Sequence, residues 1–265
     1  MLRAGISYFL DLIFPIQCLG CDAEGEWICQ KCFGSIETSL SKHCPFCGSR
    51  TYFGNTCALC KKAHFLDGAI SCVPYANPIV QRILHTWKYD GITQMTDFIS
   101  SFATKSLLEA KKQSENMVKN FSVQGISKQH IEILSSIPPI LTGEIIYMQP
   151  MPLHKKREKE RGFNQSLLLA RALSKTQKNW ILEDFIFRNK KTHTQALLTG
   201  LDRSENIKNA FSTIKKENIT GKHITIIDDV ITTGSTCDEC ARVLKIYGAK
   251  SVWAFTVAYG HPKKS

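Results

Sequence analysis

The residues of this chain best suited to chemistry fall into two groups: paired cysteines near the N-terminus and an acidic, hydroxyl-rich segment near the C-terminus. Eight of the eleven cysteines form four C-x-x-C pairs before position 61, namely Cys18/Cys21, Cys29/Cys32, Cys44/Cys47 and Cys57/Cys60. A two-residue gap lets both sulfurs of a pair face one ion at about 2.3 Å in a tight knuckle. Four pairs supply two tetrahedral Cys₄ zinc sites, one from Cys18, Cys21, Cys29 and Cys32, the other from Cys44, Cys47, Cys57 and Cys60. Spacing alone leaves an interleaved assignment open. Cys44-Pro45-Phe46-Cys47-Gly48 is a strong knuckle sequence, because Gly48 permits the turn after the second ligand. Closed Cys₄ sites are structural, and a ribbon of about 45 residues has too little core to fold without the metal.

The second group is His223-Ile224-Thr225-Ile226-Ile227-Asp228-Asp229-Val230-Ile231-Thr232-Thr233-Gly234-Ser235-Thr236. An apolar strand delivers Asp228 and Asp229 at its carboxyl end, where open α/β sheets bind ligands. Gly234 permits close approach of backbone to ligand. The N–H groups of residues 232–236 and a following helix N-terminus favour a phosphate, with the hydroxyls of Thr232, Thr233, Ser235 and Thr236 as further donors. Two adjacent carboxylates would repel a nucleotide triphosphate without metal, but they suit the vicinal hydroxyls of a ribose. No G-x-x-x-x-G-K-[ST] sequence occurs, so this is not a Walker loop.

These residues need elements to hold them. A strand over 69–75 is followed by a helix from Asn77-Pro78 through Ile79, Ile83, Leu84 and Trp87, stopped at Lys88-Tyr89-Asp90-Gly91. A helix over 95–112 precedes a polar segment, 111–142, that reads as an irregular, partly flexible insert. Beyond it the order is strand 144–148, basic loop 150–163, helix 164–175, strand or loop 180–213, strand 223–227, loop 228–235, helix 236–247 and strand 251–258. Strands alternating with helices predict a parallel α/β sheet. Cys237, Cys240, Ala241 and Leu244 recur at helical spacing, so the fifth C-x-x-C is core rather than redox chemistry, and Cys72 reads as a buried strand residue.

Charge is uneven. Residues 1–70 carry six basic and six acidic residues, whereas 71–265 carry 28 basic against 17 acidic and supply the whole +11. Such a surface attracts phosphorylated ligands, nucleic acid or anionic lipid. The apolar run Ile6–Ile16 is interrupted by Asp11 and falls short of the ~20 residues of a membrane span. A short amphipathic helix over 2–14 is expected to pack on the metal domain. No signal peptide is legible, so a cytoplasmic protein with reduced thiols is expected.

The Asp-Asp and Thr-Thr-Gly-Ser-Thr segment resembles the phosphoribosyl pyrophosphate (PRPP) motif of type I phosphoribosyltransferases. With Pro150-Met151-Pro152-Leu153-His154, Glu160-Arg161-Gly162-Phe163-Asn164-Gln165, the cysteine pairs, Lys88-Tyr89-Asp90-Gly91, and Thr194-Gln195 with Arg203, Asn206, Ala210 and Phe211, nearly the whole chain is similar to the ComF family. The resemblance implies an α/β fold with a parallel-sheet type I phosphoribosyltransferase domain over 67–265, preceded by a helix and double zinc ribbon over 1–66. The length of 111–142 departs from the family's usual connection. Carried over by motif, Asp228 and Asp229 would hold ribose hydroxyls and residues 232–236 the 5′-phosphate. Lys155, Lys156, Arg157, Lys159 and Arg161 would lie near the pyrophosphate end or along DNA. Phe163 could stack on a base, Asn164 caps a helix, and Arg203 and Asn206 are further candidates for the cleft wall.

The expected cofactors are two structural Zn²⁺ ions, with Mg²⁺ arriving on PRPP. The family is linked to natural competence, which implies a PRPP-binding protein that supports DNA uptake and handles single-stranded DNA alongside DNA-uptake or recombination proteins. Its DNA contacts are expected on residues 71–265, because the ribbon is neutral before its thiolates are counted. The alternative is an active transferase that moves phosphoribosyl from PRPP to a nucleobase or other nitrogen acceptor. No residue singles out an acceptor.

Overall fold

Alternation along two long strands decides the layering. The computed structural model describes residues 15–38, 40–90, 92, 94–124, 127–189, 207–214 and 218–260. The helix expected over 2–14, and Thr194, Gln195, Arg203 and Asn206, lie outside them. The strands are β1 (Gly68–Pro74), β2 (Ile146–Pro150), β3 (Trp180–Leu182), β4 (Ile186–Arg188), β5 (Phe211–Thr213), β6 (His223–Ile231) and β7 (Ser251–Tyr259). Five of them form one parallel sheet in the order β1-β7-β6-β2-β3, while β4 and β5 pair antiparallel on their own. Along β6, Ile224 and Ile226 join one buried cluster and Ile227 the other; along β7, Val252 and Ala254 alternate with Trp253, Phe255 and Val257 in the same way. Both faces are therefore apolar, as a parallel sheet covered by helices requires.

The helices are α1 (Gln30–Gly34), α2 (Pro78–Tyr89), α3 (Met95–Gln124), α4 (Lys128–Ser135), α5 (Pro139–Thr142), α6 (Lys155–Arg161), α7 (Gln165–Ser174) and α8 (Ser235–Ile246). The Asn77 side chain accepts from the N–H groups of Ile79 and Val80, and Pro78 sits in the first turn, so α2 starts where the sequence says. Trp87 is fully buried and donates from Nε1 to Thr96 Oγ1 at 3.0 Å, fixing the end of α2 against α3. Burying a side chain of this size stabilises by about 1.5–3 kcal/mol. On the opposite face, α8 packs Cys237, Cys240, Ala241 and Leu244 onto Ile224, Ile226 and Val252. Cys72 is buried in β1.

Two expectations need correction. The segment from 111 is not irregular: α3 continues to Gln124, and α4 and α5 follow. No Gly or Pro occurs from Met95 to Gln124, and Phe102, Ala103, Leu107, Ala110 and Ser114 keep a buried stripe at helical spacing. The polar composition is that of the outer face. Likewise, the basic stretch is not all loop. Lys, Arg and Glu are good helix formers, and His154 Nδ1 accepts from the Lys156 N–H at 3.2 Å to start α6. Gly162, at φ 80°, ends it in the left-handed region. Among the described residues, no helix is long and apolar enough to cross a membrane.

Candidate functional site

The cysteine pairs group consecutively. The four sulfurs of Cys18, Cys21, Cys29 and Cys32 lie within 4.8 Å of one another, and so do those of Cys44, Cys47, Cys57 and Cys60. Cys21 and Cys29 sulfurs are 3.7 Å apart, as are Cys47 and Cys57. A regular tetrahedron with 2.3 Å Zn–S bonds has an edge of about 3.8 Å. Backbone N–H groups of Gly20 and Cys29 point at Cys18 Sγ (3.4 and 3.3 Å), and that of Cys57 points at Cys44 Sγ (3.5 Å). Soft sulfur donors in a closed set of four, supported by amides, fit zinc in a structural role. Cys18, Ile28, Cys32 and Ile36 join the main core, so the ribbon is packed on the sheet domain rather than tethered to it.

The second site is an open cleft of about 400 Å³ at the carboxyl ends of the central strands. Strand β6 lies between β7 and β2, and its register pairs Asp228 with Thr256 and Ile227 with Pro150. Asp228 and Asp229 thus emerge at the centre of the sheet, beside the turn Thr232–Thr236 that starts α8. Gly234 takes φ 73° at the N-cap, and the Asp238 N–H closes onto its carbonyl at 2.8 Å. Thr233 and Ser235 hydroxyls meet at 2.9 Å. All seven residues singled out from the sequence, Asp228, Asp229, Thr232, Thr233, Gly234, Ser235 and Thr236, line this cleft.

The two carboxylates are held differently. Asp228 Oδ1 accepts from the Ser166 hydroxyl (3.1 Å) and from the Asp229 N–H (2.9 Å). Burial, and then the neighbouring Asp229, push the Asp228 carboxyl up to about 8. Asp229 instead pairs through Oδ2 with Lys88 Nζ. Burial disfavours the Lys88 ammonium, but the two carboxylates outweigh it and its pKa is raised. The trio therefore sets a carboxyl whose surroundings favour its protonated form and an ammonium held in its charged form around the Asp229 side chain. A vicinal diol meets both donors and acceptors there.

Of the basic residues, Arg157 and Arg161 line the cleft from α6, whereas Lys155, Lys156 and Lys159 are exposed and are not among its lining residues. Phe163 is half-buried and outside the lining as well. Sequence reasoning missed Lys88, Tyr89 and Arg188 as cleft residues. Lys88 follows the buried stripe of α2 and reads as a helix stop and as part of the segment Lys88–Gly91 that carries the family resemblance, with no place assigned to it in the cleft. Arg188 had a weak signal, a cation at the end of the short apolar strand Ile186–Arg188. Its guanidinium lies 5.4 Å over the Phe211 ring, and burial, then Arg157, lower its pKa.

Comparison with known proteins follows this division. Residues 185–265 match the phosphoribosyl transferase domain family, and residues 9–61 match the double zinc ribbon domain family. "DNA utilization protein YhgH" of Escherichia coli O157:H7 is 30% identical over 233 residues, covering 87% of this chain and 89% of that protein. "Competence protein ComFC" of Bacillus subtilis is 26% identical over 92% of this chain and 95% of that protein. "Competence protein F" of Haemophilus influenzae is 37% identical over 110 residues, 41% of this chain and 48% of that protein. With a double zinc ribbon standing before a phosphoribosyl transferase domain, and such identity across almost nine-tenths of a relative, the chain belongs to the ComF family.

Proposed function

We propose that the cleft binds PRPP and that the protein supports DNA uptake, handling incoming single-stranded DNA in the cytoplasm. The observation that carries the PRPP reading is the pairing of Asp228 and Asp229 with the Thr232–Thr236 turn in one cleft, under Lys88, Arg157 and Arg161. The aspartates suit the ribose hydroxyls, the turn suits the 5′-phosphate, and the two arginines suit the pyrophosphate. The carboxylate and hydroxyl oxygens of the cleft are also the donor type that Mg²⁺ takes. When bound, that ion would shield the charge of the pyrophosphate. The DNA reading draws on the names of the relatives, which speak of competence and DNA utilization, and on the charge of residues 71–265, which hold the entire +11. DNA-uptake or recombination proteins are the partners such a role implies.

A second reading is supported by the cations at the pyrophosphate side. In that reading a nitrogen acceptor attacks C1′ of PRPP, the C1′–O bond to pyrophosphate breaks, and the leaving charge falls to Arg157 and Arg161. The protein would contribute positioning and charge stabilisation.

The test is calorimetric binding of Mg·PRPP to zinc-loaded protein, alongside pyrophosphate release with and without single-stranded DNA and a pool of nucleobases. Asp228→Ala should abolish binding and leave zinc content unchanged. Equal affinity in the variant refutes the site. Release that needs both Asp228 and one acceptor makes the protein a transferase. Binding without release leaves the pocket a docking or sensing site.

A further inference from the structure

The turn that starts α8 is touched from outside the sheet by the second zinc knuckle. A Cβ built on Gly234 would lie 3.0 Å from Phe46 Cε1, so the Phe46 ring rests on the turn. Phe46 stands between two of the sulfur ligands, Cys44 and Cys47. Its other neighbour is His64, whose ring is stacked on it with centroids 3.6 Å apart and planes 6° apart. His64 Nδ1 meets Asp238 Oδ2 at 2.8 Å, and the N–H groups of Phe65 and Leu66 donate to Asp238 Oδ1 at 2.7 and 3.0 Å. Asp238 lies in the first turn of α8, and its own N–H closes on the Gly234 carbonyl at 2.8 Å. On the far side of the turn, Thr232 shares a small cavity wall with His43, Cys44 and Gly48. The turn and the first helical turn behind it are thus held at two points, Gly234 and Asp238, by chain that belongs to the Cys44–Cys60 cluster or follows directly from it. The first cluster packs elsewhere, with Phe33 edging onto Phe98 and Phe102 of α3.

We propose that Phe46 is a positioning residue for the turn 232–236, and that metal held by Cys44, Cys47, Cys57 and Cys60 is what fixes it there. A knuckle closed by four ligands sets the direction of the ring at its apex. The ring and the Asp238 clamp then hold Gly234 in its left-handed conformation, with the amides and hydroxyls of the turn aimed into the cleft. Loss of metal from the second cluster loosens the turn, whereas loss from the first leaves it in place. The inference rests on the turn being the phosphate-binding loop of the proposed function, and the test separates the two.

Hydrogen exchange of the amides of 232–238 is followed by mass spectrometry, with Mg·PRPP affinity and zinc content measured on the same zinc-loaded samples. Phe46→Ala is expected to speed exchange across 232–238 and to weaken Mg·PRPP by about ten- to a hundredfold, at wild-type zinc content. Phe46→Tyr, which keeps the stack on His64, should restore both. Phe33→Ala, in the first ribbon, should change neither. Where Phe46→Ala sheds metal, Phe46→Leu retains an apolar contact with the knuckle and carries the same comparison. Unchanged exchange and affinity in the metal-loaded variant overturn the positioning role. Faster exchange in a protein that never binds PRPP overturns the ligand reading and leaves the positioning role standing.

Discussion

Lys88 Nζ pairs with Asp229 Oδ2, tying the last turn of α2 to the end of the central strand β6. The two side chains are 22% and 15% exposed, so water screens the pair only in part. Its consequence is electrostatic: without the ammonium, the partly buried Asp229 carboxyl loses its paired cation beside Asp228. Lys88→Met keeps the aliphatic stem and removes the charge. It should lower unfolding stability by about 1–3 kcal/mol at neutral pH, the range for losing a charged hydrogen-bond partner. It should weaken Mg·PRPP as well. Urea unfolding of zinc-loaded protein checks the first statement, and unaltered stability would show that the pair contributes nothing.

Asp228 sets a pH dependence whose sign is fixed by its environment. Its folded pKa is about 8, against 3.8 for the same carboxyl in water. A group raised on folding contributes stability that is fully present below its unfolded pKa and is lost as pH rises through its folded pKa. Between those values the folded state holds one proton more, so stability falls with pH by at most about 1.4 kcal/mol per unit. Asp228→Asn keeps the oxygen that accepts from Ser166 and cannot ionise. Its stability relative to wild type should therefore rise from pH 6 to 8. A flat difference over that range would mean that Asp228 is already ionised at pH 6.

The two cysteine clusters should be separable. Purified protein is expected to carry about two zinc ions, and Cys18→Ser or Cys57→Ser about one each, because each Cys₄ set binds its ion with its own four ligands. Stripping both should unfold the ribbon, since binding of a structural zinc contributes about 10–16 kcal/mol in small zinc domains. Metal analysis together with far-ultraviolet circular dichroism before and after chelation checks this. Full helical and sheet signal in the metal-free ribbon would remove the structural role.

Much of this molecule could be read from local pattern. The four C-x-x-C spacings carry both metal clusters because the knuckle is a short-range device, complete within a few residues. Asp228, Asp229 and the Thr-rich turn were legible for the same reason: strand, acidic pair, glycine and helix start are contiguous. Lys88, Tyr89 and Arg188 were not, because only the tertiary packing of α2 and of the separate β4-β5 pair brings them to the cleft at β6. The helix beyond residue 112 was hidden by its composition. Its buried stripe is narrow and its outer face carries Lys111, Lys112, Glu115 and Lys119, which dilutes the apolar period. The approach of Phe46 to Gly234 joins positions 188 residues apart, and nothing local marks it.

The face and the cleft presented by α6 should divide DNA binding from PRPP binding. Lys155, Lys156 and Lys159 are exposed, whereas Arg157 and Arg161 line the cleft, and Arg161 lies 5.0 Å over the Tyr89 ring at its rim. One helix thus offers a solvent-facing set of charges and an inward-facing one. On a single strand, each phosphate that a cation no longer neutralises lowers the slope of log affinity against log salt by about 0.7. Replacing the three lysines by Ala should therefore reduce that slope by about 2 and leave Mg·PRPP affinity within about twofold, since none of them lines the cleft. Arg157→Ala with Arg161→Ala should do the reverse for PRPP, weakening it at least tenfold through loss of charge-assisted hydrogen bonds of about 1.5–3 kcal/mol each. Fluorescence anisotropy on a labelled oligonucleotide across a salt series, beside calorimetry with Mg·PRPP, gives both quantities. An isolated ribbon that bound the oligonucleotide as tightly as the full chain would move the DNA site off this helix and onto the zinc knuckles.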